Sequence, residues 1–255
     1  MNINKTFPAS YFTSRASVRA YDPARPVSEE LIASLVSQAA QAPNTGNMQL
    51  YSVVLTTDPE AIVRLAPAHF SQPAIVNAKA VLTFCLDVRR YHRWCEAADG
   101  EPGLNNLQGY TWAVMDTAIF AQQFVTLAEL NGLGTCYLGT TTFNAPMIAR
   151  ELELPDGVVP LLTVTMGYPA EELKVSERLP LEAILHHGKY SDPTPDGLTA
   201  IYAEKESMEE YRKFVEENGL PSLSRVYSDV RYPRKGNEHF SAVLKEFLKN
   251  QGITL

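Results

Sequence analysis

A chain of 255 residues with 45% hydrophobic and 20% charged side chains has the make-up of a globule with a sizeable core, built as one large domain or two small ones. Its net charge of −7 excludes general electrostatic capture of nucleic acid or of an anionic membrane surface, so an anionic ligand needs a local cluster of cations. Cys85, Cys95 and Cys136, with no C-x-x-C spacing, read as reduced thiols. No stretch approaches the ~18–20 apolar residues of a membrane span. Met1–Pro8 carries no apolar run of a secretory leader, and the expectation is a cytoplasmic protein.

The first informative stretch is Arg15–Tyr21. If it is extended, side chains alternate, and Arg15, Ser17 and Arg19 share one face while Ala16, Val18 and Ala20 share the other. Two guanidinium groups and a hydroxyl on one surface suit phosphate oxygens, because each guanidinium donates parallel charge-assisted hydrogen bonds. The same short pattern also describes a solvated basic edge.

Residues 28–41 predict a helix, with Ser28 as cap, Glu29 and Glu30 at its positive end and Pro43 as its stop. Leu31, Ile32, Leu35, Val36, Ala39 and Ala40 form its apolar stripe. A polar turn over 42–49 leads into a β-branched strand from Tyr51, and Asp58-Pro59 opens another helix. Ala80–Leu86 reads as a strand buried on both faces, and Asp87–Pro102 as a surface excursion. Val114–Leu130 predicts a helix apolar nearly all round, with Asp116, Gln122, Gln123 and Glu129 as its polar positions.

Glycines 132, 134 and 139 border a short strand but do not spell G-x-G-x-x-G, and no Walker-type motif occurs. Asn144–Leu152 predicts a short helix and Val158–Met166 a long strand ended by Gly167-Tyr168-Pro169. Beyond a turn-rich hinge at 191–197 lie two helical patterns, roughly 204–217 and 238–250, flanking a basic stretch that holds Arg225, Arg231, Arg234 and Lys235. No hydrolase or metal motif is present, and His186-His187 points its rings apart. Any catalysis therefore falls to a bound cofactor. A second cationic element sits at Lys174-Val-Ser-Glu-Arg178-Leu-Pro180.

Arg15-x-Ser17-x-Arg19-x-Tyr21, Ala42-Pro43, Asn47-Met-Gln49, Gly132-Leu-Gly134, Gly167-Tyr168-Pro169 and Arg178-Leu-Pro180 together resemble the FMN-dependent nitroreductase superfamily. The end of the chain, with Tyr227-Ser228-Asp229 and a helix running to Gln251-Gly252, is similar to the NADPH-type nitroreductase and flavin reductase branch.

The resemblance implies an α+β fold whose central sheet is mixed but mostly antiparallel and flanked by helices. It also implies a homodimer with FMN at the interface. The core would span 1–190, with 191–255 a helical C-terminal extension packing on the dimer. It places the FMN phosphate and ribityl chain at Arg15, Ser17 and Arg19, with Lys174 and Arg178 across the phosphate. It further assigns the flavin ring to Gln72, Leu138 and Gly139, and to Asn44 and Thr45 on the turn that reaches the flavin of the other subunit. Position 16 is Ala where close relatives often carry a second basic residue. The activity implied is ping-pong transfer from NADPH or NADH to nitroaromatics, quinones or free flavins, with Arg225 and Arg231 as nucleotide-binding candidates for a 2′-phosphate. A dehalogenase, a flavin-cleaving enzyme or a non-catalytic flavin carrier on the same scaffold are the alternatives.

Overall fold

A computed structural model describes residues 9–255; the reading of Met1–Pro8 lies outside them. In chain order the elements are α1 (Ala9–Ser14), α2 (Glu29–Ala39), β1 (Tyr51–Thr56), α3 (Pro59–Leu65), α4 (Pro73–Val76), β2 (Ala80–Asp87) and α5 (Arg89–Glu96). Next come α6 (Leu107–Leu130), β3 (Gly134–Leu138), α7 (Ala145–Glu151) and β4 (Val158–Gly167). The last part holds α8 (Pro195–Ser207), α9 (Glu209–Glu217), the single turn α10 (Leu223–Arg225), a wide π-type turn over Val226–Arg231 and α11 (Arg234–Asn250). Contacts divide the chain into two compact units. One runs to Lys174 and resumes at Phe240–Leu255, and the other is Val175–His239.

In the first unit the strands form a sheet of order β1-β2-β4-β3 whose strand pairings are antiparallel, and an isolated parallel bridge joins Asn106 to Thr254. An antiparallel sheet flanked by helices is the α+β arrangement that the resemblance implied. Strand β2 is central and buried along its whole length because helices cover both faces. Leu82 and Phe84 face α2 and α6, where they meet Ile32, Leu35, Phe120 and Phe124. Val81 faces the layer of α3, α4 and α7, with Ile62, Leu65, Ile75 and Ile148. Each such large apolar side chain contributes roughly 1.5–3 kcal/mol by leaving water. Pro160 sits in β4 beside a bulge, since Leu161 is the extra residue between Pro160, opposite Cys85, and Leu162, opposite Phe84, and there its missing N–H does least harm to the ladder.

Helix ends follow the sequence. The Ser28 hydroxyl accepts from Leu31 N, and the Asp58 carboxylate accepts from Glu60 N and Ala61 N. Helix α6 begins seven residues before the expected Val114, because Asn106 caps it and Gly109 lets its first turn lie against the Leu104 carbonyl. The excursion over Asp87–Pro102 is largely a helix, α5. Its arginine-rich composition hides it, since Tyr91, Trp94 and Cys95 share one face but none of its residues is buried, and the Asp87 carboxylate accepts from Arg90 N at its start. In the second unit the acidic pattern expected at 204–217 is two helices, α8 and α9, broken at Met208, whose ψ of 137° is extended. The closing helix starts at Arg234, earlier than 238.

Candidate functional site

The segment from Arg15 to Tyr21 is extended, as its alternation requires. Ala16 and Val18 are buried, Arg15 and Ser17 are half-buried, and Arg19 is exposed. It belongs to no regular strand, yet it is pinned along its length. Val18 N donates to Thr135 O of β3, Asp22 N to Tyr168 O, and Ala170 N to Ala20 O. The Tyr21 hydroxyl donates to Val18 O and shares a 2.7 Å hydrogen bond with Thr165 Oγ1 of β4; burial pushes its pKa well up. Arg15, Ser17 and Arg19 are thereby held on the one face of a backbone that has little freedom to turn.

Glu129, in the last turn of α6, organises Arg15. Its Oε2 accepts from Arg15 Nε at 3.1 Å and its Oε1 from Arg15 Nη2 at 3.1 Å, a two-point fork. The same carboxylate accepts from the Tyr11 hydroxyl at 2.7 Å and the Thr135 hydroxyl at 2.6 Å. Burial, and then the bond to Glu129, push the Tyr11 pKa up to about 12. Arg19 lies beside the Cys136 thiol; burial raises that thiol's pKa, and Arg19 and Arg15 oppose the rise.

Two further clusters carry expected residues. The 44–49 turn contains three residues with left-handed backbone, Gly46, Asn47 and Gln49. It is held by Asp116 of α6, which is 1% exposed. Asp116 Oδ1 accepts from Thr45 N and Thr45 Oγ1, both at 2.8 Å, and its Oδ2 accepts from Leu50 N at 3.3 Å. Asn44 Oδ1 accepts from Gln49 N and closes the turn. The other cluster joins Gln72 to the end of β3. Gln72 Nε2 donates to His69 O, and His69 Nδ1 lies 2.9 Å from Thr140 Oγ1, directly after Leu138 and Gly139. His69 is fully buried and its Nε2 has no partner, and burial lowers its pKa to about 4.

A family model described as "Nitroreductase family" matches residues 12–168, from α1 through the whole sheet to Tyr168. The chain belongs to the nitroreductase family. Among its relatives are a Cr(VI) reductase from Pseudomonas sp. (strain G-1), 31% identical over 78% of this chain and 80% of that one, and an FMN reductase [NAD(P)H] from Bacillus subtilis (strain 168), 30% identical over 94% and 95%. The crystal structure of a protein from Bacteroides fragilis NCTC 9343, assigned as an oxidoreductase, superposes with a TM-score of 0.94 at 44% identity and covers 96% of this chain and all of that one.

In this nitroreductase-family chain, Arg15, Ser17 and Arg19 share one segment bonded to β3, Gln72 is linked through His69 to Thr140 directly after Gly139, and Thr45 is tied to α6 with Asn44 beside it in the same turn. The donor set of the first cluster fits a phosphate ester, with two guanidinium groups and a hydroxyl on one extended face. Lys174 is exposed at the end of the first unit. Arg178 falls in the second unit, where its Nη1 donates to Ser176 O and Glu177 O. Arg225 forks onto Asp229 Oδ2, and Arg231 stacks its guanidinium carbon 4.5 Å over the Phe214 ring. Sequence reasoning missed Glu129 and Asp116 as organisers, having taken both for polar positions on an apolar helix. An acid at the negative end of α6 is disfavoured by the helix dipole, and for Glu129 that was the available signal.

Proposed function

We propose that this nitroreductase-family chain is an FMN-dependent oxidoreductase. It would use NADPH or NADH to reduce nitroaromatics, quinones or free flavins by a ping-pong route. It would work as a cytoplasmic homodimer with the flavin at the interface and the 191–255 extension packing on the dimer. The observation that carries the reading is the pinned Arg15–Tyr21 segment lying inside the family match, with its phosphate-suited donors on one face.

When bound, FMN supplies the two-electron chemistry, accepting hydride from the nicotinamide and giving it to the acceptor. The chain's residues bind and orient. Arg15 and Arg19 neutralise the phosphate and the Ser17 hydroxyl donates to it. Asn44, Thr45, Gln72, Leu138 and Gly139 form the rigid edges that set the ring's position. Tyr21, Asp116 and His69 act behind these, fixing the backbone from which those groups project. Lys174, at the end of the first unit, would add positive charge to the phosphate. No side chain here is required to hold or move a proton.

The test is an absorption spectrum of the purified protein after loading with FMN. NADPH or NADH is then added under anaerobic conditions, followed by acceptor. Bleaching of the flavin band and its return on adding a quinone or nitroaromatic support the reading. Bleaching without return would leave a flavin carrier, and a protein that takes up no FMN would overturn the proposal outright.

A further inference from the structure

The Glu129–Arg15 fork has a geometry that bears on the ligand phosphate. Arg15 is 24% exposed and Glu129 8%, so the pair lies at the edge of the fold with its carboxylate end inside. A guanidinium carries five N–H hydrogens. The side-on fork uses the one on Nε and one on Nη2. Both hydrogens of Nη1 and the second of Nη2 are outside the fork, and that Nη1–Nη2 edge is itself a two-point donor.

Glu129 cannot be explained by its helix. A carboxylate in the last turn sits against the negative end of the α6 dipole, a position that suits Lys or Arg. It is retained with four hydrogen bonds, and two of the donors, Tyr11 and Thr135, lie on either side of the Arg15 contact in sequence and in the fold: Tyr11 in α1, Thr135 in β3. The Thr135 carbonyl also accepts from Val18 N, so the residue that steadies the carboxylate also pins the segment three residues after Arg15. The whole assembly restricts one long, flexible side chain. A free arginine loses rotamer entropy when it grips a ligand; an arginine already gripped does not.

Resting on the proposed FMN phosphate site, we infer that Glu129 is a positioning residue. It fixes Arg15 by its Nε–Nη2 edge so that the opposite edge is preorganised for the phosphate of the flavin nucleotide. Its negative charge weakens the attraction of the site for the dianion, but the gain in order outweighs that loss. The two effects have opposite signs, and this makes the inference testable.

The experiment measures dissociation constants of FMN and of riboflavin, which lacks only the phosphate, by flavin fluorescence quenching. The wild type, Glu129→Gln, Arg15→Ala and the double variant are compared. Glu129→Gln is expected to weaken FMN about tenfold, the worth of one charge-assisted hydrogen bond, and to leave riboflavin unchanged. In the Arg15→Ala background Glu129→Gln is expected to add nothing, because its effect passes through Arg15. Tighter FMN binding by Glu129→Gln would show that charge dominates and overturn the inference. Equal weakening of both flavins, or full additivity with Arg15→Ala, would reduce Glu129 to a structural role and overturn it too. If Glu129→Gln does not fold, Thr135→Val removes one donor to the carboxylate while keeping both charges. It must then lower the FMN-to-riboflavin preference in the same direction, and an unchanged preference would sink the inference. A wild type that binds neither flavin, or binds them equally, would instead refute the phosphate site on which this rests.

Discussion

Gly134 and Gly167 are partners across β3 and β4, and each leaves the space that a residue of the Arg15–Tyr21 segment occupies. A Cβ on Gly134 would lie 2.6 Å from Val18 Cβ, and one on Gly167 would lie 2.9 Å from the Tyr21 ring. The glycines are needed for close approach, since neither has positive φ. Gly134→Ala is therefore expected to push the segment off the sheet. The loss should be on the order of 1–3 kcal/mol, the range for overpacking in a tight core, with weaker FMN binding as a consequence. Urea midpoints for Gly134→Ala and Gly167→Ala check this, and a midpoint equal to wild type for both would contradict the packing.

Asp116 holds three donors of a turn whose backbone is left-handed at Gly46, Asn47 and Gln49. Asparagine can present only one carbonyl oxygen to them, and its NH₂ group faces N–H donors. Asp116→Asn is expected to lose about 2–4 kcal/mol, through buried donors left unpaired and strain left uncompensated. Faster hydrogen exchange at Thr45 and Leu50, with little change in the sheet, would localise the effect. Uniform exchange rates like those of wild type would refute the brace.

Much of this architecture is legible from local pattern. Alternation in Arg15–Arg19, the caps Ser28 and Asp58, and the doubly buried β2 all depend on neighbours close in sequence. What was hidden depends on pairings over long separations. Nothing near Glu129 announces Arg15, 114 positions away, and nothing near Asp116 announces Thr45, 71 positions away. On an apolar helix such acids look like a solvated face, and only the tertiary structure shows that the chain brings donors to them. Helix α5 was hidden for the opposite reason, since none of its residues is buried and its polar, arginine-rich run of eight reads like a loop. The break at Met208 is equally unmarked by any glycine or proline.

His69 predicts a pH dependence. Unfolded, its imidazole titrates near the ordinary value of about 6.5. Folded, burial lowers its pKa to about 4. Between these values the unfolded chain binds a proton that the folded chain does not, so stability falls as pH falls through the window. The loss should approach the order of 3 kcal/mol at its lower end and vanish above the unfolded pKa. Thr140 can serve only one ring nitrogen, and Nε2–H of an imidazolium would have no acceptor. His69→Gln is expected to flatten this part of the acid limb in urea unfolding followed across the window. Parallel curves for the two proteins would exclude His69 as the source.

The choice between NADPH and NADH turns on the second unit. Arg225 is engaged by Asp229, whose carboxylate the guanidinium holds below the usual range, and the Ser228 hydroxyl donates to the other carboxylate oxygen. Arg231 carries its guanidinium carbon over the Phe214 ring at 4.5 Å from the centroid, with Tyr227 further off at 5.8 Å. If these arginines receive a 2′-phosphate, Arg225→Ala and Arg231→Ala should each raise KM for NADPH about tenfold and leave KM for NADH unchanged. Asp229→Asn should do the reverse, because it releases the Arg225 fork for the phosphate. Arg231→Lys keeps the charge but loses the guanidinium over Phe214, so a loss as large as that of Arg231→Ala would show that the guanidinium fork, and not charge alone, sets the grip. Equal effects on both nucleotides would assign these residues to the fold of the second unit. A wild-type preference for NADH would remove the 2′-phosphate from their role altogether.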